Sequence, residues 1–152
     1  MKVERAKIED ALQIQNLINQ FAERKLMLPR ALSEVYEDVR DFVVVKNEGK
    51  VIACSCLHIY WKDLAEIRSI VVDEGNQGKG IGKALVDTCI LDSQSLGISR
   101  VFCLTLIPPF FEKLGFVRVD KMDLPHKVWA ECYRCPKFPD NCDETALILD
   151  VK

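Results

Sequence analysis

The sequence predicts a mixed α/β fold in a single domain. Two apolar segments fall early in the chain around a short polar turn, as a hairpin requires. A strand, a glycine-rich loop, an amphipathic helix and a further strand then follow one another in the middle of the chain. At 152 residues, 49% of them hydrophobic, the chain is long enough for one well-buried core and short for two.

Residues 1–6 form a short strand candidate. From Lys7 to Arg24, Ala11, Ile14, Ile18, Phe21 and Ala22 recur on one helical face. Pro29 interrupts that pattern, since proline cannot continue a helix interior. Ser33 is a candidate cap for a second short helix running to Arg40. Phe42–Lys46 and Lys50–Trp61 read as a hairpin across Asn47-Glu48-Gly49, and Leu64–Asp73 as a further strand rich in Ile and Val. Glu74–Lys79 is a polar loop. Gly80–Leu96 is helical, with Ile81, Leu85, Cys89 and Leu96 on one stripe and Gly97 as its stop. Arg100–Thr105 is a strand, Pro109–Leu114 a short helix, Phe116–Val119 a strand and Glu144–Val151 a final strand. The intervening 120–143 is irregular and rich in Cys and Pro.

Charge and composition exclude several classes. A net charge of -2 argues against a dedicated nucleic-acid binder. No apolar run approaches the ~18 residues of a membrane span, and the polar N-terminus does not read as a secretory signal. The expectation is a cytoplasmic protein that engages neither membrane nor nucleic acid. Of the seven cysteines, Cys54, Cys56, Cys89 and Cys103 lie in apolar runs and read as buried free thiols rather than disulfide partners.

The most informative stretch is Ile70-Val-Val-Asp-Glu-Gly-Asn-Gln-Gly-Lys-Gly-Ile-Gly-Lys83. Gly78, Gly80 and Gly82 allow backbone N–H groups to converge, the helix that follows adds its N-terminal dipole, and Lys79 and Lys83 add charge. This is an anion site suited to a pyrophosphate. A P-loop requires Lys-Ser/Thr after its second glycine, whereas Gly75 and Gly80 are followed by Ile81-Gly82, and a dinucleotide fingerprint requires one more residue before the third glycine; neither pattern is present. A simple glycine-rich turn capping a helix is the plainer alternative.

Gln77-x-x-Gly80-x-Gly82 after an apolar strand resembles the acyl-CoA signature of the GNAT superfamily of N-acetyltransferases. Phe110-Phe-Glu-Lys-Leu-Gly-Phe116 resembles a later segment of that superfamily. Leu28-Pro-Arg30, Leu64-Ala-Glu-Ile-Arg-Ser-Ile-Val-Val72, and Phe102-Cys-Leu-Thr105 with Leu124-Pro125 are similar to the acetyltransferase domain of N-acetylglutamate synthase. The resemblance implies a mostly antiparallel central sheet of six to seven strands flanked by helices. It also implies acetyl-CoA as co-substrate, a free amino acid, foremost L-glutamate, as acceptor, and a homodimer, common in the superfamily. Many synthases carry an N-terminal kinase-like domain, for which 152 residues leave no room.

The same resemblance implies residue roles. Ile70, Val71, Val72, Gln77, Gly78, Lys79, Gly80, Ile81, Gly82 and Lys83 would contact the coenzyme, with a backbone N–H near Val71–Val72 polarising the thioester carbonyl. Glu66 would be the general base, for which it needs a raised pKa or a relay water; the alternative is a strand-surface carboxylate paired with Arg68. Phe111 stands where the superfamily often has a tyrosine acid. The leaving thiolate would then be protonated by water, leave unprotonated near the helix dipole, or rely on Tyr60 or Tyr133. An amino-acid acceptor brings carboxylates, which arginine binds with paired N–H bonds. Arg30 matches a carboxylate-binding position of the synthases and Arg134 roughly matches a second, while Arg68 and Lys62 are candidates by their nearness to Glu66. For each, a solvated basic side chain is the plainer reading.

Cys132, Cys135 and Cys142 with His126 offer a Cys3His set whose C-x-x-C half suits structural zinc. One further Cys in place of a second C-x-x-C favours three reduced thiols, and no metal is expected. Two other functions stand beside the leading one: acetylation of another small amine or a protein N-terminus, and a non-catalytic acetyl-CoA-binding module.

Overall fold

A computed structural model describes residues 1–124 and 144–152. Its strands are β1 (Val3–Arg5), β2 (Phe42–Asn47), β3 (Lys50–Trp61), β4 (Leu64–Val72), β5 (Arg100–Thr105), β6 (Val117–Val119) and β7 (Thr145–Asp150). Its helices are α1 (Ala11–Glu23), α2 (Leu32–Glu37), α3 (Ile81–Ser95) and α4 (Pro108–Glu112). Among the described residues the strands form a seven-stranded sheet in the order β1-β2-β3-β4-β5-β7-β6. β4 and β5 run parallel, whereas β1–β2, β2–β3, β5–β7 and β6–β7 are antiparallel. This is the mixed, mostly antiparallel sheet that the sequence leads one to expect. Backbone contacts divide the chain into two compact units, Met1–His58 with Ile67–Asp92, and Ile59–Glu66 with Ser93–Lys152.

In the first unit, α1 buries Ala11, Ile14, Leu17 and Ile18 in a cluster with Val35, Phe42, Val44, Val51, Cys54, Cys56 and Val71. Each large aliphatic side chain removed from water in this way contributes about 1.5–3 kcal/mol. A 3-10 turn, Ile8–Asp10, precedes α1. The buried Asp10 accepts from Lys7 N at 2.8 Å and pairs with Lys46 Nζ at 2.8 Å, so its charge is compensated on both oxygens. The β2–β3 hairpin pairs Asn47 with Lys50. That leaves Glu48 (φ 51°) and Gly49 (φ 80°) as a two-residue turn with both dihedrals positive, the geometry that matches strand twist.

Ser33 does not cap α2. The helix starts after Ala31, whose N–H donates to Glu34 Oε1 at 3.2 Å, so the acidic residue one turn in satisfies the helix start. The helix ends at Glu37, and Arg40 belongs to a separate 3-10 turn, Val39–Asp41. In α3, Ile81, Leu85 and Cys89 are buried as expected.

In the second unit, Leu96 is 60% exposed and lies beyond the end of α3, which corrects its place on the apolar stripe. The chain has already turned away: Ile98 N donates to Ser93 O and Gly97 N to Gln94 O, with Gly97 at φ 82°. These two bonds around a left-handed glycine close the helix. The parallel ladder runs from Leu64↔Arg100 to Glu66↔Phe102, and β7 lies antiparallel to both β5 and β6. Leu64, Phe102, Leu124 and Ala146 form the core, with Tyr60 packed on Phe102 at 5.6 Å between ring centroids.

Candidate active site

The loop after β4 lies in the first unit. A 3-10 turn, Glu74–Asn76, leads into Gln77, whose Nε2 donates back to Val72 O at 3.0 Å. Gly78 (φ 78°) and Gly80 (φ 81°) both hold left-handed backbone. A Cβ at either position would meet nothing within 4 Å, so the dihedral and not crowding calls for glycine. Gly80 O accepts from Ala84 N at 3.1 Å and so starts α3, with Gly82 in its first turn. Fifteen residues of helix point their N-terminus at this loop. The two lysines have local partners: Lys79 Nζ reaches Asn76 Oδ1 at 3.4 Å and Lys83 Nζ pairs with Asp87 at 2.6 Å. Ile81 and Val71 bury their side chains, so backbone N–H groups are what these positions can offer a ligand. Ile70 and Val72 are half-buried in β4.

The same unit holds a cluster around Arg30. Arg30 is 8% exposed. Its Nη2 pairs with Asp38, its Nη1 donates to Ser69 Oγ at 3.2 Å, and its guanidinium lies over the Phe42 ring at 5.4 Å. Arg68 Nη2 lies 3.8 Å from the same Asp38 oxygen, so the fold brings two of the candidate arginines together on one carboxylate. Sequence reasoning missed Asp38 and Ser69. Asp38 had no signal beyond its charge; Ser69 had none at all.

The second unit holds Glu66, 6% exposed at the end of the parallel ladder. Tyr60 Oη donates to Glu66 Oε1 at 3.1 Å, uniting the candidate base with a candidate acid. Burial, followed by the charges of Glu66 and Glu144, pushes the neighbouring Cys103 thiol up. Phe111 is 1% exposed and stacks edge-on against Phe110 and Phe116, at 5.0 and 5.3 Å between centroids. Its ring fills an aromatic core. Lys62 is exposed in the turn between β3 and β4. Arg134, Tyr133, His126, Cys132, Cys135 and Cys142 lie outside the described residues. Among the described residues no cluster of His, Cys, Asp and Glu could hold a metal ion, and no helix is long and apolar enough to cross a membrane. Cys54, Cys56, Cys89 and Cys103 are buried free thiols, as the sequence suggests.

Known proteins are similar to this chain in sequence and in fold. A family model described as an acetyltransferase (GNAT) domain matches residues 38–118. An uncharacterised N-acetyltransferase of Chlorobaculum tepidum is 37% identical over 146 residues, spanning 96% of this chain and 94% of its own. An amino-acid acetyltransferase of Mycobacterium tuberculosis is 36% identical over 135 residues, spanning 87% and 77%. A Mycobacterium tuberculosis structure in complex with CoA superposes with a TM-score of 0.86 at 31% identity, covering 99% of both chains. N-acetylglutamate synthase from Neisseria gonorrhoeae, solved with coenzyme A and N-acetyl-glutamate, superposes with a TM-score of 0.89. At 23% identity, over 99% of this chain and 35% of that one, that likeness concerns the fold alone. The strand–loop–helix described above and these matches agree: the chain belongs to the GNAT family and is an acetyltransferase.

Proposed function

We propose that the enzyme transfers the acetyl group of acetyl-CoA to the α-amino group of a free amino acid, with L-glutamate as acceptor. The product would be N-acetylglutamate, made in the cytoplasm for arginine biosynthesis. The observation that supports the acceptor class is Arg30, a guanidinium kept almost wholly buried, at the position that the resemblance to the synthases marks for carboxylate binding. The amino-acid acetyltransferase named among its relatives supports the same class.

In this reading the backbone amides of residues 77–83 grip the coenzyme diphosphate, with Ile70 beside them. A backbone N–H of Val71 or Val72 polarises the thioester carbonyl; removing one such donor typically costs about 10²–10³ in rate. Glu66 takes a proton from the acceptor ammonium, directly or through a water. The freed nitrogen lone pair attacks the carbonyl carbon and the C–N bond forms; the C–S bond then breaks with its electron pair remaining on sulfur, and the proton the nitrogen still carries leaves to water or to the departing thiolate as the neutral amide forms. Phe111 has no proton to give. Tyr60, already bonded to Glu66, supplies a hydroxyl on that side of the chemistry. Arg30, Arg68, Lys62 and Arg134 form the set from which the acceptor carboxylates draw their partners.

Assaying CoA release against the twenty amino acids tests the acceptor. Glutamate should give the highest kcat/KM. Arg30→Ala should raise the KM for glutamate about tenfold or more, the value of a charge-assisted hydrogen bond, and leave that for acetyl-CoA unchanged. Preference for a polyamine or a peptide N-terminus, or equal rises in both constants, would overturn the assignment.

A further inference from the structure

Asp38 and Ser69 have no part in the chemistry above, yet both grip the same guanidinium. We propose that they are positioning residues, which fix Arg30 in the orientation that receives the acceptor carboxylate. The inference rests on the amino-acid acceptor proposed above and adds two residues to that site.

Arg30 is held at every level. Its N–H donates to Asn19 Oδ1 at 3.1 Å, and its carbonyl accepts from Asn19 Nδ2 at 3.3 Å and Gln15 Nε2 at 3.4 Å. Beyond the backbone, Asp38 takes Nη2, Ser69 Oγ takes Nη1, and Phe42 covers a face. A long side chain fixed at three points has surrendered its rotamer freedom before any ligand arrives, and preorganisation of that kind is what a binding arginine requires. Its Nε is buried and has no hydrogen-bond partner among the described residues. Each Nη gives one N–H to Ser69 or Asp38 and keeps a second, and those second N–H groups are what the guanidinium has to offer a carboxylate.

Ser69 gives the second, independent sign. It holds φ 55° inside β4, a left-handed dihedral that serine adopts only against a steric cost. A residue in this conformation interrupts the alternation of the strand and re-aims its side chain; here the side chain ends on Arg30. Cys54 Sγ meets Ser69 O at 3.5 Å and steadies the distortion. Strain kept at a residue that contacts a binding group points to function, because stability alone would favour glycine.

Ser69→Gly separates the two. It removes both hydroxyl and strain, so the Tm should hold or rise. The KM for glutamate should rise about tenfold, the worth of a fixed hydrogen bond to a charged group, with kcat and the KM for acetyl-CoA unchanged. Asp38→Asn should raise the glutamate KM further and lower the Tm. A purely structural pair would move the Tm and leave the ratio of the two KM values alone. Unchanged glutamate KM in Ser69→Gly, or an equal rise for acetyl-CoA, overturns the inference and leaves the acceptor reading standing. Failure of the unmodified enzyme to acetylate any amino acid overturns both.

Discussion

In the unit formed by Met1–His58 and Ile67–Asp92, the cationic side chains around the candidate site have local partners. Arg30 has Asp38, Arg24 has Glu74, Lys83 has Asp87 and Lys79 has Asn76. In the proposed coenzyme site the capacity to bind an anion would therefore fall to the backbone, that is, to two left-handed glycines and the opening turn of α3. In the unit formed by Ile59–Glu66 and Ser93–Lys152, the weight rests on a buried carboxylate, Glu66, with a tyrosine hydroxyl against it. Shape held by dihedrals is distributed over many groups, whereas a proton acceptor is a single group. The first should degrade gradually under substitution and the second abruptly.

The buried thiols record the same contrast. Burial pushes all four up. In the first unit charges act both ways: Cys56 adds to the rise for Cys54 while Arg30 opposes it, and Arg68 and Arg30 oppose the rise for Cys56 while Asp41 adds to it, leaving Cys56 at about 12. In the second unit Glu66 and Glu144 reinforce the rise for Cys103.

The sharpest way to break the contrast is Glu66→Gln. It should lower kcat by about 10²–10⁴-fold, the range of general-base catalysis, with little change in acetyl-CoA affinity. Survival of kcat would mean the second unit does not hold the base. The thiols come next. Cys89 is raised from 9.0 to about 11, so the folded chain keeps a proton there that the unfolded chain has lost. Its contribution is complete below pH 9 and falls by about 1.4 kcal/mol per pH unit, tenfold in the folding constant, until the folded thiol also ionises. Chemical denaturation across that window should show the decline, and Cys89→Ala should flatten it by that amount. A flat profile for the unmodified protein would contradict the burial assigned to these thiols.

The smallest effects test the loop. Gly80→Ala forces a side chain into φ 81° and should weaken acetyl-CoA binding about tenfold by calorimetry. Lys83→Ala removes an exposed, locally paired ammonium and should weaken it only about twofold. The reverse ranking would move the anion site from backbone to side-chain charge.

Local chemistry was legible in the sequence. Gly78 and Gly80 hold left-handed dihedrals that glycine allows, while Gly82 lies in α3; the Ile14–Ile18 spacing announced the buried face of α1, and the β2–β3 turn lay where a glycine allows it. Errors came where a local signal competed with a neighbour. Ser33 looks like a helix cap, but Glu34 satisfies Ala31 from inside the helix. Leu96 continues the helical spacing on paper, but Gly97 has already turned the chain. The cluster around Arg30 was only half visible. The arginine follows a recognisable Leu-Pro pair, whereas its contact with Ser69 spans 39 positions and depends on a dihedral that serine does not advertise.

The bond from Gln77 Nε2 to Val72 O has a kinetic consequence. It ties the mouth of the loop to the tail of the strand through the chain's own atoms, so part of the ordering entropy of residues 73–76 is spent during folding. If the loop holds the coenzyme as proposed, a ligand would meet it already partly ordered. Its arrival should be limited by diffusion and orientation, and its residence time should be set by how many amides it must release to depart.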